Sequence, residues 1–196
     1  MKKLQDKVGI ITGAARGIGR ATALKFAQEG SHVALSDMNL AGVEETAALC
    51  RAHGVKAIAM RTDVTSTSDV QAMVDQCVAE LGGVDALFNN AGVFYNAGPT
   101  GIADMSDDEW DRMIAICLTS VFKVSRAVLA HWVKSGTAGA IVNSASISRR
   151  RLHLRARRTT ARRRPAWRRS RAVRRSSTAR SVCAATASRR ASFRPT

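Results

Sequence analysis

The feature that most constrains this chain is an abrupt change in composition near Ser148. Residues 1–148 contain 13 basic and 15 acidic residues, whereas residues 149–196 contain 18 arginines and no lysine, acid or glycine. The first segment is long enough, and aliphatic enough, to bury the core of one soluble domain. The second has too few large apolar residues to offset the entropy lost on ordering 48 residues. We therefore predict one folded domain followed by a disordered arginine-rich tail.

Within the first segment, short apolar runs alternate with longer stretches of helical period. The runs predict five successive strands, at residues 8–12, 32–36, 56–61, 85–89 and 140–143. The clearest helices are predicted at residues 20–28, 69–81 and 107–134, and Ser106 with Glu109 forms a capping box for the last of these. This alternation is typical of an α/β fold with a doubly wound parallel sheet of Rossmann type, here truncated after the fifth strand. In such sheets the ligand crevice lies at the carboxyl ends of the strands.

A glycine-rich loop, TGAARGIG at residues 12–19, joins the first predicted strand to a helix. Gly13 allows a sharp turn, Gly17 lets the backbone approach a diphosphate, and Gly19 allows close packing of the helix. The helix N-terminus then offers free N–H groups to the phosphates. An ordinary glycine-rich turn is the alternative, and the strand before the loop and the helix after it favour a dinucleotide site.

Asp37 follows the second predicted strand, 18 residues after Gly19. An acid about 20 residues after the loop typically binds the ribose hydroxyls of a dinucleotide. Its carboxylate would accept hydrogen bonds from two hydroxyls and repel a 2′-phosphate, which favours NAD over NADP. Arg16 could instead serve a 2′-phosphate, and a solvated turn aspartate is the alternative for Asp37.

Three further motifs each follow a predicted strand: Asp63-Val64, NNAG at residues 89–92 and IVNSAS at residues 141–146. Together with TGAARGIG, these motifs resemble the short-chain dehydrogenase/reductase family over residues 7–148. The resemblance implies an oxidoreductase that moves a hydride between NAD(H) and a secondary alcohol or ketone. The residues that it implies at the cofactor are Gly13, Arg16, Gly17, Ile18 and Gly19 at the phosphates, Asp37 at the adenosine ribose, Asp63 and Val64 beside the adenine, and Asn90, Ala91 and Gly92 along the cofactor. It further implies that Ser146 hydrogen-bonds the substrate, although a loop-capping role is the alternative for this serine.

The sequence departs from the family pattern at two catalytic positions. Members of the family carry Tyr-x-x-x-Lys after the serine, where the lysine lowers the phenol pKa so that tyrosine can exchange a proton with substrate. The one tyrosine here, Tyr95, lies in the loop after NNAG and has no lysine four positions later. Cys117 occupies the slot of the family's asparagine, and we interpret it as a core residue rather than a reactive thiol.

The arginine-rich tail is best explained as an out-of-frame translation of the remainder of the enzyme. Joining the third base of each codon to the first two of the next permits a tyrosine codon at Thr160 and a lysine codon at Arg164. The same register permits Pro-Gly at Arg190 and Ala191, 30 positions after the tyrosine slot, as the family pattern implies. The 196-residue chain would then lack the general acid/base and be inactive. The sheet would keep an exposed edge, and Phe122, Val128 and Trp132 would lack a partner helix and be exposed.

Two other interpretations stay open: an NAD-binding module whose basic tail binds RNA or DNA, and a pseudoenzyme that senses NAD. Sparse aromatic residues in the tail disfavour nucleic acid as a partner.

The four cysteines show no metal-binding spacing and are expected as reduced thiols. With neither a signal peptide nor a run of about 20 apolar residues, we expect a cytoplasmic protein without membrane contact, and a homo-oligomer for the intact parent only.

The frame hypothesis makes a prediction about the gene. Reading the nucleotide sequence across codons 140–196 in the shifted frame should yield Tyr-x-x-x-Lys and the Pro-Gly segment at the spacing given above. A verified gene in which the shifted frame lacks these motifs would contradict the hypothesis. The tail would then need testing as a nucleic-acid arm.

Overall fold

A computed structural model of the chain describes residues 2–94 and 102–145. Five parallel strands form one sheet in the order β3-β2-β1-β4-β5. Their bounds are Val8–Thr12 for β1, His32–Asp37 for β2, Ala57–Arg61 for β3, Ala86–Asn89 for β4 and Ala140–Asn143 for β5. The predicted doubly wound sheet and its five strands are confirmed, with ends shifted by at most one residue. The tail over residues 149–196, like Tyr95 and Ser146, lies outside the described residues.

The helices connect the strands and begin at side-chain caps in most cases. Their bounds are Gly17–Gln28 for α1, Leu40–Arg51 for α2, Thr67–Leu81 for α3, Asp107–Ile114 for α4 and Ser120–Ser135 for α5. Ser106 and Glu109 form the predicted capping box at the start of α4. α1 begins three residues earlier than predicted, inside the glycine loop. The predicted helix over residues 107–134 is continuous but contains a π-helical segment, Ala115–Thr119, between α4 and α5.

Two apolar layers cover the two faces of the sheet. On one face α3 and α5 pack over alternate residues of the strands, among them Ile10, Ala34 and Leu87. On the other face α1 and α2 pack over the intervening residues, among them Ile11, Val33 and Leu35. Because side chains alternate across a strand, β1 and β2 bury both of their faces, which explains their nearly continuous apolar runs in the sequence.

The expectation that α5 exposes three apolar residues is wrong for two of them. Val128 and Trp132 are buried, because α5 lies against α3 and β4 with this stripe facing the sheet. The Trp132 indole N–H donates to the Val84 carbonyl at 2.6 Å. Phe122 on the opposite side is 60% exposed, as expected, and carries the Arg126 guanidinium over its ring. Sequence periodicity identified the apolar positions but not which of them face the sheet.

The outer side of α5 and the edge strand remain apolar and open. Leu129, Val133 and Val142 are exposed, and a groove of about 770 Å³ is lined by Leu129 and Val133 of α5 together with Asn143 of β5. Within the described part of the chain, β5 pairs with β4 alone, so its other side is an edge of the sheet.

By length and composition alone, the continuous helix Asp107–Ser135 could cross a membrane. It has 29 residues, and its 18-residue apolar window has a mean hydropathy of 1.7 with 17% of that window buried. Length and composition alone are weak evidence for a membrane span, because core helices of water-soluble proteins share both properties. The stripe that packs against the sheet accounts for part of this apolar character.

The approach of α5 to the loop before β5 requires a residue without a side chain at Gly139. A Cβ there would lie 2.3 Å from both the Asp85 carbonyl oxygen and the Trp132 ring. We predict that Gly139→Ala lowers the free energy of unfolding by about 2 kcal/mol or more, measured by urea denaturation. Gly83→Ala is the matched control, because a Cβ at Gly83 meets nothing within 4 Å. Equal stabilities of the two variants would contradict this packing.

Candidate functional site

Within the predicted site, the glycine loop, Asp37 and the residues after β4 come together where β1, β2 and β4 end. These strands are neighbours in the sheet, so the segments that follow them meet at one edge. The glycine loop after β1 contacts Asp37 at the end of β2, since the Ala15 N–H donates to the Asp37 carboxylate at 3.2 Å. It also contacts Asn90 after β4, whose amide donates to the Gly13 carbonyl at 3.2 Å. These residues therefore lie together at the carboxyl ends of the strands, where the sequence predicts the crevice.

The three glycines of the loop serve different steric needs. Gly13 has φ of +68°, and a Cβ there would lie 2.9 Å from the Ala91 backbone. A Cβ at Gly19 would lie 2.1 Å from the Gly13 carbonyl oxygen, so the loop closes on itself without room for a side chain. Gly17 differs, because its φ is +58° and a Cβ would meet nothing within 4 Å. Open space at Gly17, beside the exposed Arg16 and Ile18, leaves the backbone accessible to a ligand.

The N-terminus of α1 has no cap from its own side chains. Arg16 at the cap position makes no side-chain hydrogen bond to the helix, and the first turn contains no acid. By contrast, Asn39, Ser66 and Ser106 cap α2, α3 and α4. The free N–H groups and the positive end of the helix dipole at α1 favour an anion. A phosphate group fits this position.

Asp37 is half-buried between the loop and the start of α2. One carboxylate oxygen accepts from the Ala15 N–H, and the other accepts from the Asn39 N–H at 3.1 Å. Each oxygen retains acceptor capacity, since a carboxylate offers about four lone pairs. The carboxylate is therefore held in one orientation by the backbone while it can still accept from ribose hydroxyls.

Thr12 is a site residue that the sequence analysis did not single out. Its buried hydroxyl accepts from the backbone N–H groups of Asn90 at 3.0 Å and Ala91 at 3.1 Å. The Asn90 amide in turn donates to the carbonyls of Thr12 and Gly13. The ends of β1 and β4 are thus joined by four hydrogen bonds. The sequence signal that could have identified Thr12 is its place as the first residue of the TGAARGIG motif.

Asp63 and Val64 lie in a separate turn after β3. The Asp63 carboxylate accepts from the Thr65 N–H at 2.8 Å and the Thr65 hydroxyl at 2.7 Å, while Val64 packs into the α3 layer. The Asp63 N–H donates to the Asp69 carboxylate, and this bond lowers the Asp69 pKa below its usual value. A bond from the Ser66 hydroxyl lowers the same pKa to a smaller extent. No described hydrogen bond joins this turn to the glycine loop. Its relation to the adenine stays a prediction.

Asn89 is a second residue missed from the sequence, and it links three elements beneath the site. Its buried amide donates to the Ser125 hydroxyl on α5 at 3.1 Å and to the Asn143 side chain on β5 at 2.9 Å. Lys123 on α5 donates to the Thr65 carbonyl. The Asn89 bonds join α5 and β5 to the strand that precedes Asn90, and the Lys123 bond joins α5 to the turn after β3.

The thiols contribute no ligand cluster to this site. Cys117 lies in the π-helical segment with its Sγ 3.8 Å from the Val93 carbonyl oxygen. Burial raises the pKa of Cys50 to about 11 and that of Cys77 to about 12, so both stay protonated at neutral pH. Among residues 2–94 and 102–145, no three His, Cys, Asp or Glu side chains are grouped to hold a metal.

These observations fit a dinucleotide. The uncapped helix and the open Gly17 suit a diphosphate, and the fixed carboxylate of Asp37 suits a ribose diol. The Ser36 hydroxyl next to Asp37 is buried and has no hydrogen-bond partner among the described residues.

The Thr12 bonds generate a stability prediction. Thr12→Val keeps the shape but leaves the Asn90 and Ala91 N–H groups without their acceptor, so we expect a loss of about 2–3 kcal/mol in the free energy of unfolding. Thr12→Ser retains the hydroxyl and should lose about 1 kcal/mol for its missing methyl group. Urea denaturation compares the two variants. A valine variant as stable as the serine variant would show that the hydroxyl is not the link between the strand ends.

Comparison with known proteins gives many relatives. The chain is 44% identical over 146 residues to (5R,7aS)-5-hydroxy-7a-methyl-1-oxo-2,3,5,6,7,7a-hexahydro-1H-indene-carboxyl-CoA reductase of Mycobacterium tuberculosis, covering 74% of this chain and 55% of that one. It is 39% identical over 153 residues to a sorbitol dehydrogenase of Cereibacter sphaeroides, covering 76% and 56%. The chain thus spans about 55% of the length of the curated relatives that it matches.

Solved structures and a family model agree with these relatives. The structure of an NAD⁺-bound xylitol dehydrogenase superposes with a TM-score of 0.68 at 40% identity, covering 75% of this chain and 55% of that one. The family model described as short chain dehydrogenase matches residues 7–152, which include the glycine loop, Asp37 and the NNAG motif. Because this match spans most of the chain, the chain belongs to the short-chain dehydrogenase family.

Proposed function

We propose that this chain carries the NAD-binding half of an oxidoreductase that acts on a secondary alcohol or ketone. The observation that carries the proposal is the Ala15–Asp37 hydrogen bond, which sets a ribose-type carboxylate against the glycine loop and the uncapped end of α1. This pairing of a diphosphate position with a diol position is the arrangement that a dinucleotide requires.

Each part of the crevice has a role in this proposal. The backbone of residues 13–19 binds the diphosphate, with Arg16 and Ile18 exposed above it. Asp37 accepts from the adenosine ribose hydroxyls, Asp63 and Val64 flank the adenine, and residues 90–92 line the cofactor through their backbone. When bound, the cofactor would accept or donate the hydride. The protein orients it and excludes water from one side.

NAD is the proposed cofactor rather than NADP. In NADP, the 2′-phosphate would bring a second negative charge next to the Asp37 carboxylate, which would repel it. The carboxylate is held in place by two backbone N–H groups. Support comes from the NAD⁺-bound xylitol dehydrogenase, which is 40% identical to this chain. Arg16 is the residue that could favour NADP, and it is exposed at the loop.

For the substrate, the proposal extends to a secondary alcohol or its ketone, with Ser146 as the hydrogen-bonding group. Relatives named for sorbitol and for a 3beta-hydroxysteroid support this class. We further propose that the written chain is itself inactive. Its single tyrosine lacks a lysine four positions on, so no residue of the sequence fits the pair that exchanges a proton with substrate. The out-of-frame origin of residues 149–196 accounts for that lack.

Cofactor preference tests the role of Asp37. Titration calorimetry of the purified chain should show tighter binding of NAD than of NADP. In Asp37→Asn the NAD/NADP preference should fall about tenfold, since the side chain keeps its shape but loses the charge that repels the 2′-phosphate. Asp75→Asn, on the exposed side of α3, is the control and should leave the preference unchanged. An unchanged preference in Asp37→Asn would contradict the assignment.

Turnover tests the inactivity of the written chain. We expect no NADH formation from sorbitol, xylitol or a 3β-hydroxysteroid at NAD concentrations that saturate binding, monitored by absorbance of the reduced cofactor. The chain expressed from a frame-restored gene is the positive comparison. Activity of the 196-residue chain above that of a Ser146→Ala variant would show that a general acid/base is present after all.

A further inference from the structure

We propose that Arg20 is a positioning residue that fixes the glycine loop to α2 and thereby raises affinity for the diphosphate of the cofactor. The inference rests on the proposed dinucleotide-binding function and extends it to a residue outside the loop. Arg20 lies in the second turn of α1, and its side chain reaches back toward the loop and across to α2.

The bonds of Arg20 divide into a shielded set and an exposed set. Its Nε donates to the Ala15 carbonyl at 3.1 Å and to the Thr46 hydroxyl at 3.0 Å. Its terminal nitrogens form a fork to the Glu45 carboxylate at 2.7 and 3.3 Å. The Arg20 side chain is 28% exposed and that of Glu45 is 63% exposed. The bonds to the loop are therefore better shielded than the ion pair.

Thr46 extends the connection to the preceding peptide group. It is completely buried, and its hydroxyl lies 3.0 Å from the Ala14 carbonyl oxygen and 2.9 Å from that of Gly42. Gly42 lets α2 approach this closely, because a Cβ there would lie 3.0 Å from the Ala15 Cβ. α2 is thus in contact with the loop over Ala14 and Ala15.

Ala14 and Ala15 are each held through both their N–H and their carbonyl groups as a result. The Ala14 N–H donates to the Ser36 carbonyl at 3.0 Å and the Ala15 N–H donates to Asp37, while both carbonyls accept from the Arg20–Thr46 pair. A segment containing Gly13, Gly17 and Gly19 loses much conformational entropy when it orders. Fixing it before a ligand binds reduces that loss on binding, which increases affinity.

Hydrogen exchange measures the fixing directly and needs no ligand. In the full 196-residue chain, Arg20→Met should speed amide exchange in residues 13–19 about tenfold, because the loop opens more often. Lys25→Met is the matched control: it removes the i,i+4 pair with Glu29 on the same helix, at a distance from the loop. Exchange in Arg20→Met equal to that in the control would overturn the proposal.

Calorimetry measures the consequence for binding. We expect the Kd values for NAD and for ADP, which share the diphosphate, to rise about tenfold in Arg20→Met, with partial rescue in Arg20→Lys because an ammonium retains one donor to the loop. Glu45→Gln should change both Kd values less than about threefold, since its ion pair is exposed. A Glu45→Gln effect as large as that of Arg20→Met would overturn the loop assignment in favour of the ion pair.

A second variant keeps the test decisive if Arg20→Met fails to fold. Thr46→Val removes the hydroxyl that contacts Ala14 while leaving Arg20 in place, and it should speed exchange in residues 13–19 in the same direction. Unaltered exchange in this variant would also count against the proposal. If the wild-type chain binds neither NAD nor ADP, the proposed function fails, whereas the exchange result still decides the role of Arg20.

Discussion

The contact between Gly19 and the Gly13 carbonyl is the constraint on which the rest of the site depends. The turn from β1 into α1 is so tight that a single methyl group at Gly19 would lie 2.1 Å from that oxygen. This closeness sets the direction in which α1 leaves the loop, and the N–H groups of its first turn have no side-chain cap. With the loop in this conformation, its backbone forms hydrogen bonds with the Asp37 carboxylate and the Asn90 amide, and the Thr12 hydroxyl before it accepts from the Ala91 N–H.

A parallel sheet supplies the remaining arrangement. Because all five strands run the same way, their carboxyl ends and the polar residues that follow them gather at one edge. The strands that carry the loop, Asp37 and Asn90 are direct neighbours, whereas β3 lies beyond β2 and places Asp63 in its own turn. The order β3-β2-β1-β4-β5 thus explains which of the motif residues touch and which do not.

The sequence predicted the elements better than their contacts. Strand positions followed from apolar runs and the α4 start followed from Ser106 and Glu109, because both signals are local. The buried state of Val128 and Trp132 did not follow, since it depends on how α5 sits against the sheet. Thr12, Arg20 and Asn89 were missed because each bonds to groups distant in sequence, and such bonds leave no spacing pattern.

An NMR titration with NAD tests the central claim, that the strand-end crevice binds a dinucleotide, most directly. In ¹⁵N-labelled chain, the amide shifts that move should cluster in residues 13–19, at Asp37, in residues 63–64 and in residues 90–92. Amides on the outer side of α5, such as those of Phe122 and Val133, should stay in place. Shifts confined to α5, or the absence of any shift at saturating NAD, would contradict the account.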